Sequence, residues 1–305
     1  MSAAQGGRFR SAGRWGLVAP RGGAANRRRP APLIARFARN KLAVAGVLVV
    51  ALFLFFCFVG PLLYSTDQTH TDLTQVNLPP SGTHWLGTDA VGHDELGRLM
   101  YGGKISLLVG LAAGLLATVI GTLWGAVAGY AGGWVDAVMM RVVDAGIAIP
   151  ALFILLVVSA ITSPGPLGLI VILGLVSWLV PSRLVRAETL TLKNRDYVLT
   201  LRATGGTHGR AIVRHILPNS VSTIVVAATF QVADAILLVA YVSYLGLGVQ
   251  PPSTDWGGML SAGLTAAYSG RWWLIVPPGL AIILVVCAFN AIGDGLRDAF
   301  DVRGR

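Results

Sequence analysis

The chain has 305 residues, of which 54% are hydrophobic and only 12% charged, against about 25% charged in an ordinary soluble domain. So few charges cannot surface a soluble domain, and the 38 glycines suit helices that pack closely within a membrane. The net charge of +10 is no nucleic-acid footprint, because Met1 to Lys41 holds nine arginines and one lysine without an acid, while the remainder balances 14 basic against 14 acidic residues.

Residues 1–40 form a basic tail, and Arg8 to Arg29, rich in Gly, Ala, Arg and Pro without apolar periodicity, is expected to be disordered. The apolar run after Lys41 is too long for a signal-peptide core and no small-x-small cleavage site follows it, so it is expected to remain as a span. A helix crosses the hydrocarbon core with about 20 apolar residues. Six stretches qualify: Leu42 to Leu63, Ile105 to Tyr130, Ala137 to Ile161, Leu167 to Val185, Val221 to Leu247 and Trp272 to Ile292. The predicted fold class is therefore an all-α membrane protein of six transmembrane helices. Residues 41–104 hold the first span and an exterior loop, 105–298 the core transmembrane domain, and 299–305 a short C-terminal tail.

Charge placement orients the bundle. With the N-terminus inside, the tail, the Ala131 to Arg141 turn, the Ser182 to Leu217 loop and the C-terminus face the cytoplasm, and they carry 21 of the 24 basic residues. That asymmetry obeys the positive-inside rule, so both termini are expected in the cytoplasm. Along the second span Gly110, Gly114, Gly121, Gly125 and Gly129 recur on one face as a close-packing seam. Its partner could be a helix of this chain or of another subunit.

The stretch 182–218 is long and polar for a connection between spans. Asn194 is placed to cap a helix over Asp196 to Ala203, Gly205 and Gly206 supply a bend, Thr207 caps a second helix through Arg214, and Pro218 ends it. The run Asp196-Tyr197-Val198-Leu199-Thr200-Leu201-Arg202-Ala203-Thr204-Gly205-Gly206, continued by Arg214-His215-Ile216-Leu217-Pro218-Asn219, resembles the cytoplasmic coupling loop of binding-protein-dependent ATP-binding-cassette permeases. The dipeptide, oligopeptide and nickel group is the nearest likeness. Three further stretches resemble that group in order: Trp85 to Asp89 with Gly92-His93-Asp94, Arg98 and Gly102 to Leu107; Ser243 to Pro252 with Trp256-Gly257; and Gly293 to Asp298. The resemblance spans Phe37 to Arg303, and the long loop after the first span points to the second permease of the pair.

What the resemblance implies is a type I importer permease fold in a bacterial inner membrane, carrying di- or oligopeptides. Its implied partners are a homologous second permease, two ATPase subunits that bind ATP and magnesium, an extracytoplasmic solute-binding protein and membrane lipid, with no nucleic acid. Arg202, Ala203, Thr204, Gly205, Gly206, Arg210, His215, Leu217 and Pro218 are implied to contact the ATPase. The usual Glu-Ala-Ala reads Leu199-Thr200-Leu201 here, so the acidic residue that relatives commonly offer is absent. Alternative readings are a carrier of nickel chelate or haem by the same mechanism, or a channel or scaffold that needs no nucleotide.

Within the fifth span, Gln231 and Asp234 are candidates for the solute path, since a carboxylate in a span must face a cavity or a polar partner; Val239 stands where the family often has Glu. Asp136, Arg141 and Asp144 read as an ion-pair group at the inner end of the third span. His84 and His93, near Asp89 and Asp94, lack metal-motif spacing, and Tyr64 to His84 is expected to help dock a binding protein or cover the outer mouth. Cys57 and Cys287 lie in apolar runs. The sequence holds no Gly-x-x-x-x-Gly-Lys-Ser/Thr loop, no Gly-x-Ser-x-Gly elbow and no His-Glu-x-x-His pair, so the chain reads as a transport subunit with no cofactor of its own and no catalytic residue.

Overall fold

The computed structural model describes residues 32–65, 68 and 70–301; the expected disorder of Arg8 to Arg29 lies outside them. Residues Leu33 onward form one compact helical unit. A short helix, α1 (Leu33–Phe37), precedes α2 (Lys41–Phe58), whose first turn is capped by the Asn40 side-chain oxygen accepting from the N–H groups of Leu42 and Ala43. After α3 (Gly60–Leu63) and a long loop comes α4 (Glu95–Ala131). This helix begins ten residues before the apolar run, because the Asp94 carboxylate accepts the Gly97 N–H at 2.8 Å and starts it there. At 37 residues it is roughly 55 Å long, well beyond the hydrocarbon core.

The third and fourth runs are not straight. The pair α5 (Gly133–Ile147) and α6 (Ala151–Thr162) meets at 74°, and α7 (Pro166–Ser177) and α8 (Leu179–Leu192) at 45°. Proline accounts for both bends. Pro150 has no N–H for the Gly146 carbonyl, and Pro181 none for that of Ser177, so neither helix can propagate undisturbed. Among the described residues there are thus four continuous helices long and apolar enough to cross a membrane, and six spans when each bent pair counts as one. Ser182 to Leu192, the start of the predicted cytoplasmic loop, is a helical continuation of the fourth run.

Beyond α8 lie α9 (Asp196–Ala203), α10 (His208–Ala211), a π-turn at Ile212–Ile216, α11 (Leu217–Asn219) and α12 (Val221–Tyr244). The loop after α12 contains a helix that the apolar pattern did not announce, α13 (Trp256–Ala267), capped by Asp255 accepting from Gly258 N–H at 2.7 Å. A 3₁₀ turn at Trp272–Leu274 leads into α14 (Val276–Phe300), which runs two residues past Asp298 with Ala299 buried.

Helix α4 runs through the middle, packed on α2, α7, α8 and α12. Its glycine seam is used within the chain. A Cβ at Gly114 would lie 2.7 Å from the Val232 Cα of α12, and one at Gly129 would lie 2.8 Å from the Thr189 Cβ of α8. Only bare backbone allows such approach. The opposite face of α4 presents Leu115, Val119 and Leu123, and α2 presents Leu48, Leu52 and Phe55, all exposed. An outward apolar surface of this kind belongs against lipid.

Candidate functional site

Both α4 and α8 end beside the hairpin formed by α9, α10 and the π-turn. Val198, Ala211 and Ile216 from the hairpin pack with Tyr130 at the end of α4 and Leu192 at the end of α8, all buried. The hairpin is therefore seated on the bundle by its own apolar face. Polar contacts fix the seat further: Arg202 Nε donates to the Tyr130 hydroxyl at 3.2 Å, and its guanidinium stacks 4.5 Å from the Tyr130 ring centroid. The His208 ring meets the same tyrosine edge-on at 5.5 Å, and Lys193 Nζ donates to the Gly129 carbonyl at 2.8 Å. Sequence reasoning missed Tyr130, although an aromatic closing a span is a legible signal.

The hairpin forms as expected in outline, with two corrections. Asn194 does not cap α9; its amide donates to the Leu190 carbonyl and closes the end of α8, while the cap position falls on Arg195, which makes no side-chain cap bond. Pro218 does not end the second limb. Through the π-turn the Leu217 N–H reaches the Ile212 carbonyl, and Pro218 then stands in the first turn of α11, where its missing N–H has no bond to break. Thr207 caps α10 as predicted, accepting from Arg210 N–H at 3.4 Å. Gly205, at φ +80°, makes the bend.

Of the nine predicted coupling residues, Arg202, Ala203, Thr204, Gly205, Arg210 and Pro218 are exposed, while Gly206, His215 and Leu217 are half-buried. His215 faces the Tyr197 ring at 6.1 Å and ties the second limb to the first. The hairpin is a rigidly seated knob, continuous through α8 and through α11 with spans on both sides.

A known family coincides with this architecture. Residues 121–305 match the binding-protein-dependent transport system inner membrane component family, and residues 33–80 match the N-terminal transmembrane domain of oligopeptide transport permease C. The chain belongs to the binding-protein-dependent inner-membrane transport family. It is 44% identical, over 88% of its length and 89% of the other's, to a protein of Brucella suis biovar 1 that carries the name of a peptide permease. The dipeptide transport system permease of Bacillus subtilis (strain 168) is 39% identical, with 88% and 84% covered, and the oligopeptide transport system permease of Escherichia coli (strain K12) 40%, with 88% and 90% covered. The chain is accordingly a membrane-embedded permease subunit of a transporter, and its all-helical fold is that of the family.

In this permease Gln231 and Asp234 sit at neighbouring turns of α12. Gln231 is buried and Asp234 exposed, and neither makes a side-chain hydrogen bond or ion pair with the described residues. Asp234 lies 13 residues into the helix, about 20 Å along its axis, on a face shared with exposed Tyr241 two turns on.

The ion pairs near the hairpin differ from the sequence expectation. Asp136 of α5 is gripped by Arg186 of α8, with Nε to Oδ1 at 2.5 Å and Nη2 to Oδ2 at 2.7 Å, and Asp144 pairs with Arg183. Arg141 makes no side-chain hydrogen bond or ion pair with the described residues; two arginines of α8 take both carboxylates instead.

At the opposite end, the long loop is organised around Asp94. Besides capping α4, its carboxylate accepts the Tyr64 hydroxyl at 3.1 Å and meets His84 Nδ1 at 2.8 Å; burial and this neighbouring carboxylate push the Tyr64 phenol up to about 12. His93 is 3.0 Å from Asp89, and Arg98 donates to the same carboxylate at 2.7 Å. Burial alone would raise the Asp89 pKa, but the N–H groups of Val91 and His93, the His93 ring and Arg98 together hold it below the ordinary value. Both histidines thus serve the loop's internal bonding. Asp255 lies deeper still, where burial raises its pKa although the Ser243 hydroxyl and the N–H groups of Gly258 and Gly257 donate to it.

Proposed function

We propose that this chain is one half of an ATP-driven peptide importer, pairing with a homologous second permease and lining the solute path between them. The observation that carries the reading is the hairpin: seated on Tyr130 and Leu192 and covalently continuous with α8 and α12, it is built to pass a push from a soluble subunit into the bundle. The names of the relatives, dipeptide and oligopeptide permeases among them, support peptides as cargo.

Two cytosolic ATPases, binding ATP and magnesium, grip the two hairpins of the permease pair. Their closure on ATP draws the hairpins together and favours the outward-facing arrangement, and hydrolysis resets it; ligand-driven preference for one of two states supplies the work. The concentration of basic residues at the hairpin end and in the tail supports a cytoplasmic location for both termini. An extracytoplasmic binding protein delivers the peptide at the end bearing the 64–94 loop. Asp234, exposed on a spanning helix and without a polar partner among the described residues, belongs to the face that meets the path, while Gln231 is buried one turn before it and backs that face.

Co-expression with the neighbouring transporter genes tests this. Proteoliposomes holding the purified complex, with the binding protein outside and ATP sealed inside, should accumulate radiolabelled peptide, and vesicles without ATP should not. A chain that never co-purifies with a nucleotide-binding subunit, or uptake that ignores ATP, overturns the reading.

A further inference from the structure

The hairpin's free surface has a charge character of its own. Residues 194–219 contain four arginines and one acid, Asp196. Nearby arginines of the bundle are spoken for: Arg183 pairs with Asp144 and Arg186 with Asp136. On the hairpin, Arg202 is held against Tyr130, but Arg195, Arg210 and Arg214 are exposed and make no side-chain hydrogen bond or ion pair with the described residues. Among them stand apolar side chains turned outward, Leu199 at 47%, Tyr197 at 40% and Val213 at 66% exposure. Exposed apolar and aromatic side chains accompanied by arginine have the composition of a protein–protein contact.

We infer that the hairpin docks into an ATPase groove of acidic character, in which carboxylates of the partner meet Arg195, Arg210 and Arg214 while Leu199 and Val213 enter apolar pockets. The inference rests on the importer reading and adds the chemistry of the partner's surface. It follows from charge complementarity: the knob offers guanidiniums and, within residues 194–219, no acid but Asp196. A groove lined with arginine would be repelled here; one lined with Asp or Glu forms bidentate pairs.

Anionic lipid headgroups are the rival occupant, and the packing disfavours them. A helix that lies in a membrane surface spends a broad apolar face on the acyl boundary. In this hairpin Val198, Ala211 and Ile216 are already consumed by the seat on Tyr130 and Leu192. What remains outside is a small apolar set among arginines, too narrow for that role.

The test uses the full permease pair in nanodiscs of zwitterionic lipid and its purified ATPase, with affinity measured across a salt series. Wild-type affinity should fall steeply with salt. The double variant Arg210→Glu/Arg214→Glu should bind about tenfold or more weakly at low salt with a flattened salt slope, and the milder Arg210→Gln/Arg214→Gln should fall between. Leu199→Glu should weaken binding. Unchanged thermal unfolding of the variants excludes a folding defect, and the glutamine pair serves if the reversal does not fold. An unchanged affinity and slope in the double variant overturns the inference. So does a loss seen only in nanodiscs containing anionic lipid, which would assign the arginines to headgroups. Wild-type binding that is tight but salt-independent sinks the inference and leaves the importer reading standing; no ATPase binding at all sinks both.

Discussion

Replacing Gly121 by alanine probes the joint between α4 and the α7–α8 bend. The added Cβ would sit 2.6 Å from the Trp178 carbonyl oxygen, 2.7 Å from the Pro181 Cβ and 2.9 Å from the Ser182 nitrogen, where ordinary contact starts at 3.4 Å. The two helices must therefore part by about 0.8 Å, the gap between 2.6 and 3.4 Å. None of the three atoms ends a flexible side chain, so no rotamer change relieves the clash, and the cost belongs near the upper end of overpacking, about 3 kcal/mol. Alanine returns about 1 kcal/mol of helix propensity. The expected net loss is about 2 kcal/mol, read as a lowered midpoint in reversible unfolding by SDS titration in mixed micelles. Gly209→Ala, with nothing within 4 Å of the new Cβ, is the matched control: it gains the propensity without the clash and should unfold at or slightly above the wild-type midpoint. Because α8 leads into the hairpin, uptake by Gly121→Ala should fall along with its stability. A Gly121→Ala protein as stable as wild type would refute the claim that backbone contact sets the α4–α8 distance.

Gly205→Val should cost about 1–2 kcal/mol through its left-handed backbone alone, since space at the site is open, and should lower ATP-driven uptake while Gly205→Asn retains most of it. Trp256→Ala should destabilise by about 3–5 kcal/mol, for this indole is fully buried, donates to the Leu99 carbonyl at 3.0 Å and stacks edge-on with Phe53; the SDS midpoint measures it. The lowered pKa of Asp89 means its carboxylate stabilises the loop above the ordinary carboxylate pKa of about 3.9, and this contribution disappears as pH falls through the folded-state value. The unfolding midpoint should therefore drop on acidification in wild type and drop less in Asp89→Asn. Asp234→Leu should reduce peptide uptake in proteoliposomes while leaving ATPase co-purification intact; full uptake would remove Asp234 from the path.

Span number and the polar hairpin were legible in the sequence because each rests on local physics. Twenty apolar residues in a row have one stable use, and a capping threonine or a glycine bend acts within four residues of itself, which is why Thr207 and Gly205 were readable. Asn194 failed by one position: two helices compete for that side chain, and only the assembled chain shows that α8 wins. Proline at 150 and 181 was visible, but a kink angle depends on what packs against the bend.

Tertiary structure decided the partnerships. The glycine seam of α4 could have served another subunit; it is filled by α8 and α12 of the same chain, because those helices bring Ser182, Thr189 and Val232 to within contact of bare backbone. Arg186 pairs with Asp136, 50 residues away, and Arg202 stacks on Tyr130, 72 away, meetings that no local spacing encodes. The amino-acid sequence by itself settles that this protein lives in a membrane and carries a polar hairpin between two spans, since burial of apolar surface and local capping depend on neighbours along the chain. Which surface of that hairpin is seated and which left free is set by contacts between distant residues, and only the folded bundle supplies them.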